Sequence, residues 1–74
     1  MKVFLFGSYK QKAGTGEVEI QAVDVEYLKQ KMAVRFPFLA NAKCAISINC
    51  RVVQGNETLV GNEEIAFMPP YSGG

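Results

Sequence analysis

The residues whose types could do chemistry stand at the end of the chain, at 69–74. The pair Pro69-Pro70 stiffens the base of this segment, because polyproline conformations have little entropy to lose. Gly73-Gly74 has no side chains and the smallest cross-section that a chain can offer. Six residues reach roughly 20 Å at about 3.3 Å each. We therefore expect an extended, flexible tail that could carry the Gly74 carboxylate into a narrow channel, the alternative being an ordinary disordered terminus.

The sequence offers little other chemistry, because its 74 residues include no histidine. Histidine is the usual general base near neutral pH, a common zinc ligand and the usual partner of a nucleophilic serine or cysteine. Cys44 and Cys50 lie outside the CxxC spacing of redox and zinc motifs, and we expect both to be reduced structural thiols. The chain is therefore predicted not to be an enzyme on its own, and to bind no metal and no cofactor.

Composition bounds the size and the surroundings of the protein. A hydrophobic fraction of 49% over 74 residues predicts one globular domain at 1–74. The formal net charge of +1 creates no bulk field that would favour nucleic acid or an anionic membrane, so neither is an expected partner. The first apolar run is too short for a signal peptide or a membrane helix, and we expect a cytoplasmic protein.

The elements that must position the tail are those of a small α+β domain. Residues 17–21 alternate between polar and apolar, which is the period of a half-buried strand. From Val25, capped by Asp24 and ended by Pro37, apolar residues recur at helical spacing. Residues 9–16 have turn composition and predict a long cationic hairpin tip. The full prediction is one main helix on one face of a mixed sheet of four to five strands, at 2–6, 17–21, 44–49, 51–53 and 64–68.

The sheet face away from the helix is predicted to be unusually apolar. If Val3 and Leu5 point towards the helix, alternation turns their neighbours outwards. A contiguous apolar patch on a sheet face marks a docking surface more often than scattered exposed side chains do. The predicted docking face consists of Phe4, Phe6, Val52, Ala66 and Met68.

The C-terminal residues carry a resemblance to a known family. Residues 64–74 read Glu-Ile-Ala-Phe-Met-Pro-Pro-Tyr-Ser-Gly-Gly, which resembles the ending of the small-subunit family of molybdopterin synthase. Members of that family are sulfur carriers with the ubiquitin-like β-grasp fold. The chain departs from the family at Asn62, where aspartate is usual, and at Tyr71, where a small aliphatic residue is usual. Further similar segments lie at 2–6, 48–49 and 59–64.

The resemblance implies a carrier cycle in which other proteins do the catalysis. An adenylating enzyme similar to ubiquitin-activating enzymes would use ATP to adenylate Gly74, and a sulfur donor would then give a C-terminal thiocarboxylate. The tail would enter the large subunit of molybdopterin synthase, in a heterotetramer, and supply sulfur for the dithiolene of molybdopterin. By position, Phe6, Val52 and Met68 match family residues that dock on the partner. The residues threaded into the partner would be Pro69, Pro70, Tyr71, Ser72 and Gly73.

Other functions stay open on the sequence alone. A sulfur carrier for thiazole and thiamin synthesis has the same fold and a Gly-Gly end, although that family usually lacks the Pro69-Pro70 pair. A carrier for tRNA thiolation or a ubiquitin-like protein modifier would also end in two glycines. A binding module with an incidental tail is the alternative from a different class.

Overall fold

The computed structural model describes residues 1–70. Five strands form one sheet in the order β2-β1-β5-β3-β4, in which β1 and β5 are parallel and the other neighbours antiparallel. A 3-10 turn at Pro37–Asn41 follows the longer of two helices. In chain order the elements are β1 (Lys2–Leu5), α1 (Ser8–Ala13), β2 (Glu17–Glu19), α2 (Val25–Arg35), β3 (Ala45–Ile48), β4 (Arg51–Val53) and β5 (Glu64–Met68).

The main helix, α2, begins and ends where the sequence predicts. The Asp24 carboxylate accepts the Tyr27 backbone N–H at 2.8 Å, which satisfies one of the free donors of the first turn. At the other end Pro37 follows the capping residue Phe36, because a residue before proline avoids the helical region. The buried stripe of α2 packs into the hydrophobic core with the inward side chains of the sheet. The buried residues of α2 are Val25, Leu28 and Met32.

The inward and outward faces of the strands agree with the predicted alternation. Val3 and Leu5 of β1 are buried, and Ile65 and Phe67 of β5 are also buried. The outward neighbours Phe4 and Phe6 are half-buried and exposed, respectively. The apolar core therefore lies between α2 and one face of the sheet, and the other face is left without a covering layer of described residues.

The predicted hairpin tip at 9–16 is wrong in part, because α1 occupies most of it. Tyr9 of α1 is buried in the core, and its ring lies 5.6 Å from that of Phe38. Gly14 then ends the helix in the left-handed conformation, and its N–H donates to the Lys10 carbonyl. A helix of six residues is too short to be stable alone, so its tertiary contacts outweigh the local turn composition.

Two smaller expectations also differ from the structure. β2 ends at Glu19 although the alternation continues to residue 21; Ile20 is nevertheless buried, and its N–H donates to the Met1 carbonyl. Cys50, expected to be a structural thiol, is exposed in the turn between β3 and β4. Within residues 1–70 the longest helix has 11 residues, and none is long and apolar enough to cross a membrane.

Candidate functional site: the tail base and the outer sheet face

The tail begins at the end of the central strand of the sheet, β5. Its neighbours hold β5 on both sides to its last residues. The Phe6 N–H donates to the Phe67 carbonyl at 3.1 Å, and Met68 lies opposite Ala45 of β3. Such two-sided pairing fixes the direction in which the chain leaves the sheet.

The start of β5 is fixed equally well by two neighbouring turns. The Asn49 side-chain oxygen accepts the Glu64 backbone N–H at 2.9 Å, and the Asn49 N–H donates to the Glu64 carbonyl at 2.8 Å. In the preceding turn the Glu63 carboxylate accepts the N–H groups of Val60 and Gly61 at 2.7 and 2.9 Å. The bond from the Val60 backbone is the main cause that lowers the pKa of Glu63. The turn therefore keeps a charged carboxylate as its internal cap.

The first tail residue packs against the loop that follows β1. A Cβ atom built on Gly7 would lie 3.2 Å from the Pro69 Cγ atom, so the proline ring sits directly over the Gly7 backbone. Gly7 has φ of 59°, a conformation that glycine adopts without strain. Pro69 is half-buried and Pro70 is exposed, so the chain turns away from the globule here. The predicted tail residues Tyr71, Ser72, Gly73 and Gly74 lie outside the described residues.

A continuous row of side chains crosses the outer face of the sheet, from one strand to the next. In the register Phe4 lies opposite Ala66, Ala66 opposite Ser47, and Ser47 opposite Val52. The two middle positions carry the smallest side chains of the row, and the two ends carry larger apolar ones. This sequence of sizes gives the face a concave centre.

The row lies in a shallow depression of about 300 Å³ on the outer face. The Phe4 and Phe6 rings are 6.4 Å apart at one side, and Val52, which is 56% exposed, stands at the other. Met68 lines the same depression, beside the base of the tail. The structure thus brings all five residues of the predicted docking face, Phe4, Phe6, Val52, Ala66 and Met68, to one surface. We call this surface the outer-face depression.

Four further residues line the outer-face depression without having been predicted to dock: Ser47, Cys50, Glu64 and Ile65. Alternation along β5 from Ala66 and Met68 could have indicated Glu64. Cys50 had a weaker signal, since it follows Asn49 in a two-residue hairpin turn where both residues have positive φ. Ser47 pairs with Ala66 and Val52 on the outer face, and it is buried because the larger side chains of the depression surround it.

A hydrogen-bonded tyrosine fixes α1 beside the tail base. The buried Tyr9 hydroxyl donates to the Lys43 carbonyl at 3.3 Å and accepts from the Cys44 thiol at 3.7 Å. Burial, with a smaller contribution from Cys44, raises the pKa of Tyr9 to about 12. Tyr9 is therefore a neutral structural link between α1 and the segment before β3, and it is no candidate for proton transfer near neutral pH.

The sheet order, the parallel β1–β5 pair and one helix on a single face define the ubiquitin-like β-grasp fold. Solved structures agree. The small archaeal modifier protein 1 of Haloferax volcanii matches with a TM-score of 0.85 at 21% identity, over 100% of this chain and 98% of that chain. Its counterpart from Methanosarcina acetivorans matches with a TM-score of 0.80 at 27% identity, over 99% and 94%.

The ThiS family model matches residues 3–74, and the chain belongs to the ThiS family. Its sequence is 31% identical over 80 residues to the molybdopterin synthase sulfur carrier subunit of Escherichia coli, covering 100% of this chain and 99% of that protein. A solved complex of subunits 1 and 2 of molybdopterin-converting factor from Helicobacter pylori matches with a TM-score of 0.72 at 24% identity, over 99% and 96%. The resemblance stated from the C-terminal residues is confirmed, and the chain is a homologue of the E. coli subunit.

Proposed function

We propose that the chain is the sulfur carrier subunit of a molybdopterin synthase, with the Gly74 carboxyl group as its working part. The observation that carries the proposal is the full-length match to the E. coli sulfur carrier subunit. The Gly-Gly end and the exit of the tail from the best-held strand of the sheet support it. The docking face predicted from alternation supports it independently, because it forms one depression beside the tail base.

The proposed cycle begins with activation, since a carboxylate is a poor acyl donor. In the adenylating enzyme a Gly74 carboxylate oxygen attacks the α-phosphorus of ATP, and pyrophosphate leaves. A hydrosulfide equivalent from the sulfur donor then attacks the acyl carbon; the new C–S bond replaces the C–O bond to AMP, which leaves. The product is a thiocarboxylate, whose soft sulfur is a better nucleophile than the original oxygen.

Delivery takes place in the large subunit, which supplies the acid–base groups that this chain, without histidine, lacks. The outer-face depression docks on that subunit and residues 69–74 reach its active site, where the substrate is cyclic pyranopterin monophosphate. The thiocarboxylate sulfur replaces an oxygen substituent on one of the two dithiolene carbons, so that one C–S bond forms as a C–O bond of the substrate breaks. Hydrolysis then returns the Gly74 carboxylate, and a second carrier gives the other sulfur. We place the cycle in the cytoplasm, where ATP is available and where Cys44 and Cys50 remain reduced thiols.

Intact-mass analysis tests the activation step. The full chain is incubated with ATP, the adenylating enzyme and a sulfur source, beside a matched variant that lacks Gly74. The chain should gain the mass difference of one oxygen-to-sulfur exchange, and the shortened variant should not. A carrier that the same adenylating enzyme is known to activate serves as the positive control. If that carrier gains mass and the full chain does not, the proposal is contradicted.

A ubiquitin-like protein modifier is the second candidate, favoured by the two archaeal modifier structures among the similar folds. In that function the activated Gly74 carboxyl would form an amide with a lysine of another protein. Conjugates of higher mass that resist reducing agents in the native cell would support it. A carrier for thiazole synthesis is a further alternative, and the Pro69-Pro70 pair argues against it.

A further inference from the structure

The net charge of +1 conceals a separation of charge along the strands. Because β1 and β5 are parallel, both begin at one edge of the sheet and both end at the edge from which the tail leaves. At the first edge Lys2 lies opposite Glu19 on one side and Glu64 on the other. The Met1 ammonium group also donates to the Glu19 carboxylate there, at 2.6 Å.

The remaining acidic residues cluster mostly near the same edge. The Glu57 carboxylate pairs with Arg51 at 2.9 Å, and the Glu57 carbonyl accepts the N–H of Val25 at the start of α2. Arg51 lies opposite Ile48, which in turn lies opposite Ile65 near the start of β5. Glu17 lies opposite Phe4 and is therefore the acidic residue of β2 farther from that edge. The seven acidic residues are Glu17, Glu19, Asp24, Glu26, Glu57, Glu63 and Glu64.

The tail-exit edge instead carries lysines on both sides of β5. On the β1 side, the Lys10 N–H donates to the carbonyl of Gly7, which is the residue under the Pro69 ring. Lys12 lies on the same short helix. On the β3 side, Lys43 precedes by two residues the Ala45 that pairs with Met68. The described segments around this edge, at 5–16, 43–45 and 65–70, contain no acidic residue.

These three residues, Lys10, Lys12 and Lys43, are called the tail-exit lysines below. Within residues 1–70 none of them forms an ion pair, whereas Lys2, Lys29 and Arg51 all do. The Lys12 ammonium group lies 5.8 Å from the centre of the Phe38 ring. The Tyr9–Lys43 hydrogen bond fixes the two sides of the tail base relative to one another. The three lysines are therefore exposed, and no carboxylate of the described residues pairs with them. Their charges can pair with another protein.

The arrangement fits an extended acidic surface better than a small anion. The tail-exit lysines flank the tail on two sides, and Lys43 lines a cavity that neither Lys10 nor Lys12 lines. A small anion would need donors that converge on one point. Moreover, the lysines lie around the place where the tail leaves the sheet, as charged rim residues surround the centre of an interface.

We propose that the tail-exit lysines pair with an acidic rim on the large synthase subunit, around the mouth of the channel that takes the tail. This inference rests on the proposed function, since it names the same partner. Rim charges of this kind accelerate encounter more than they strengthen the final complex. The lysines therefore orient the carrier so that its tail, rather than its acidic edge, approaches the channel.

Association kinetics at two salt concentrations test the inference, with the full chain and the purified large subunit from the same organism. The test variant carries Lys10→Gln, Lys12→Gln and Lys43→Gln. The control variant carries Lys2→Gln, Lys31→Gln and Arg51→Gln, which removes the same charge at a distance from the tail-exit lysines. At about 0.05 M salt the test variant should associate roughly tenfold more slowly than the native chain, within the range of electrostatic steering. The difference should vanish near 1 M salt, where charges are screened beyond about 3 Å.

The outcomes separate the inference from the proposed function. If the test variant associates as fast as the native chain, or is slowed no more than the control variant, the tail-exit lysines form an ordinary solvated surface and the inference is wrong. The proposed function would survive that result, because the native chain still binds. If the native chain does not bind the large subunit at any salt concentration, both the proposed function and the inference are overturned. Circular dichroism of the variants checks that each one is folded.

Discussion

Replacing Phe6 by alanine should weaken binding to the large synthase subunit by about 30-fold. Phe6 lines the outer-face depression and is 48% exposed, so roughly 100 Å² of a phenylalanine surface of about 200 Å² remains for a partner to bury. At about 25 cal/mol per Å², that area corresponds to about 2.5 kcal/mol, of which roughly 2 kcal/mol of binding free energy is lost because alanine keeps the Cβ part of the surface. Since 1.4 kcal/mol is a factor of ten in the dissociation constant, about 30-fold follows.

Tyr27 provides a matched control for Phe6. It is also aromatic, is 45% exposed, and lies on α2, where it lines a different groove from the outer-face depression. Both Phe6→Ala and Tyr27→Ala remove a half-buried ring and should destabilise the fold to a similar extent. Only Phe6→Ala should change the affinity.

Isothermal titration calorimetry with the large subunit measures both dissociation constants, and urea unfolding of each variant measures its stability. The reasoning would be refuted if Tyr27→Ala weakened binding as much as Phe6→Ala does. It would equally be refuted if Phe6→Ala remained folded and bound with native affinity.

Three further predictions concern single side chains. Met68→Asp should abolish detectable binding to the large subunit, because docking would bury an unpaired carboxylate. Urea unfolding should show that the variant is a folded monomer; an unfolded variant would mean that Met68 belongs to the core. Asp24→Ala should lower the free energy of unfolding by about 1 kcal/mol and Asp24→Asn by only a few tenths, because asparagine also caps helices; equal losses in urea unfolding would contradict the capping role. The Tyr9 pKa of about 12 lies above the unfolded value near 10, so this group stabilises the fold fully below pH 10 and loses its contribution as the pH rises through about 12. Denaturant titrations of the native chain and of Tyr9→Phe across this range should show the extra loss only in the native chain, and parallel losses would be the opposing result.

The parts of the fold that could be predicted are those whose sequence pattern is complete within a single helix or strand. The helix could be predicted because Asp24, an apolar stripe and Pro37 give the same bounds. The outward face could be predicted because alternation in β1 and β5 agrees across the sheet, where a shift of one residue would expose buried Ile65.

The rest depended on contacts between distant residues. Helix α1 forms because Tyr9 reaches Phe38 and the Lys43 carbonyl, more than 25 positions away, and no local pattern contains that information. The exposure of Cys50 follows from the turn between β3 and β4. The separation of charge is likewise invisible in a net charge of +1, because it appears only when the strands are aligned in register.

Sulfur transfer in a single turnover tests the central claim most directly. The thiocarboxylated chain is mixed with the large subunit and cyclic pyranopterin monophosphate, and both the carrier mass and the dithiolene product are followed. The account predicts that the carrier returns to its carboxylate mass as the product appears, with two carriers consumed for each dithiolene. A thiocarboxylate that stays intact in the bound complex, with no product formed, would contradict it.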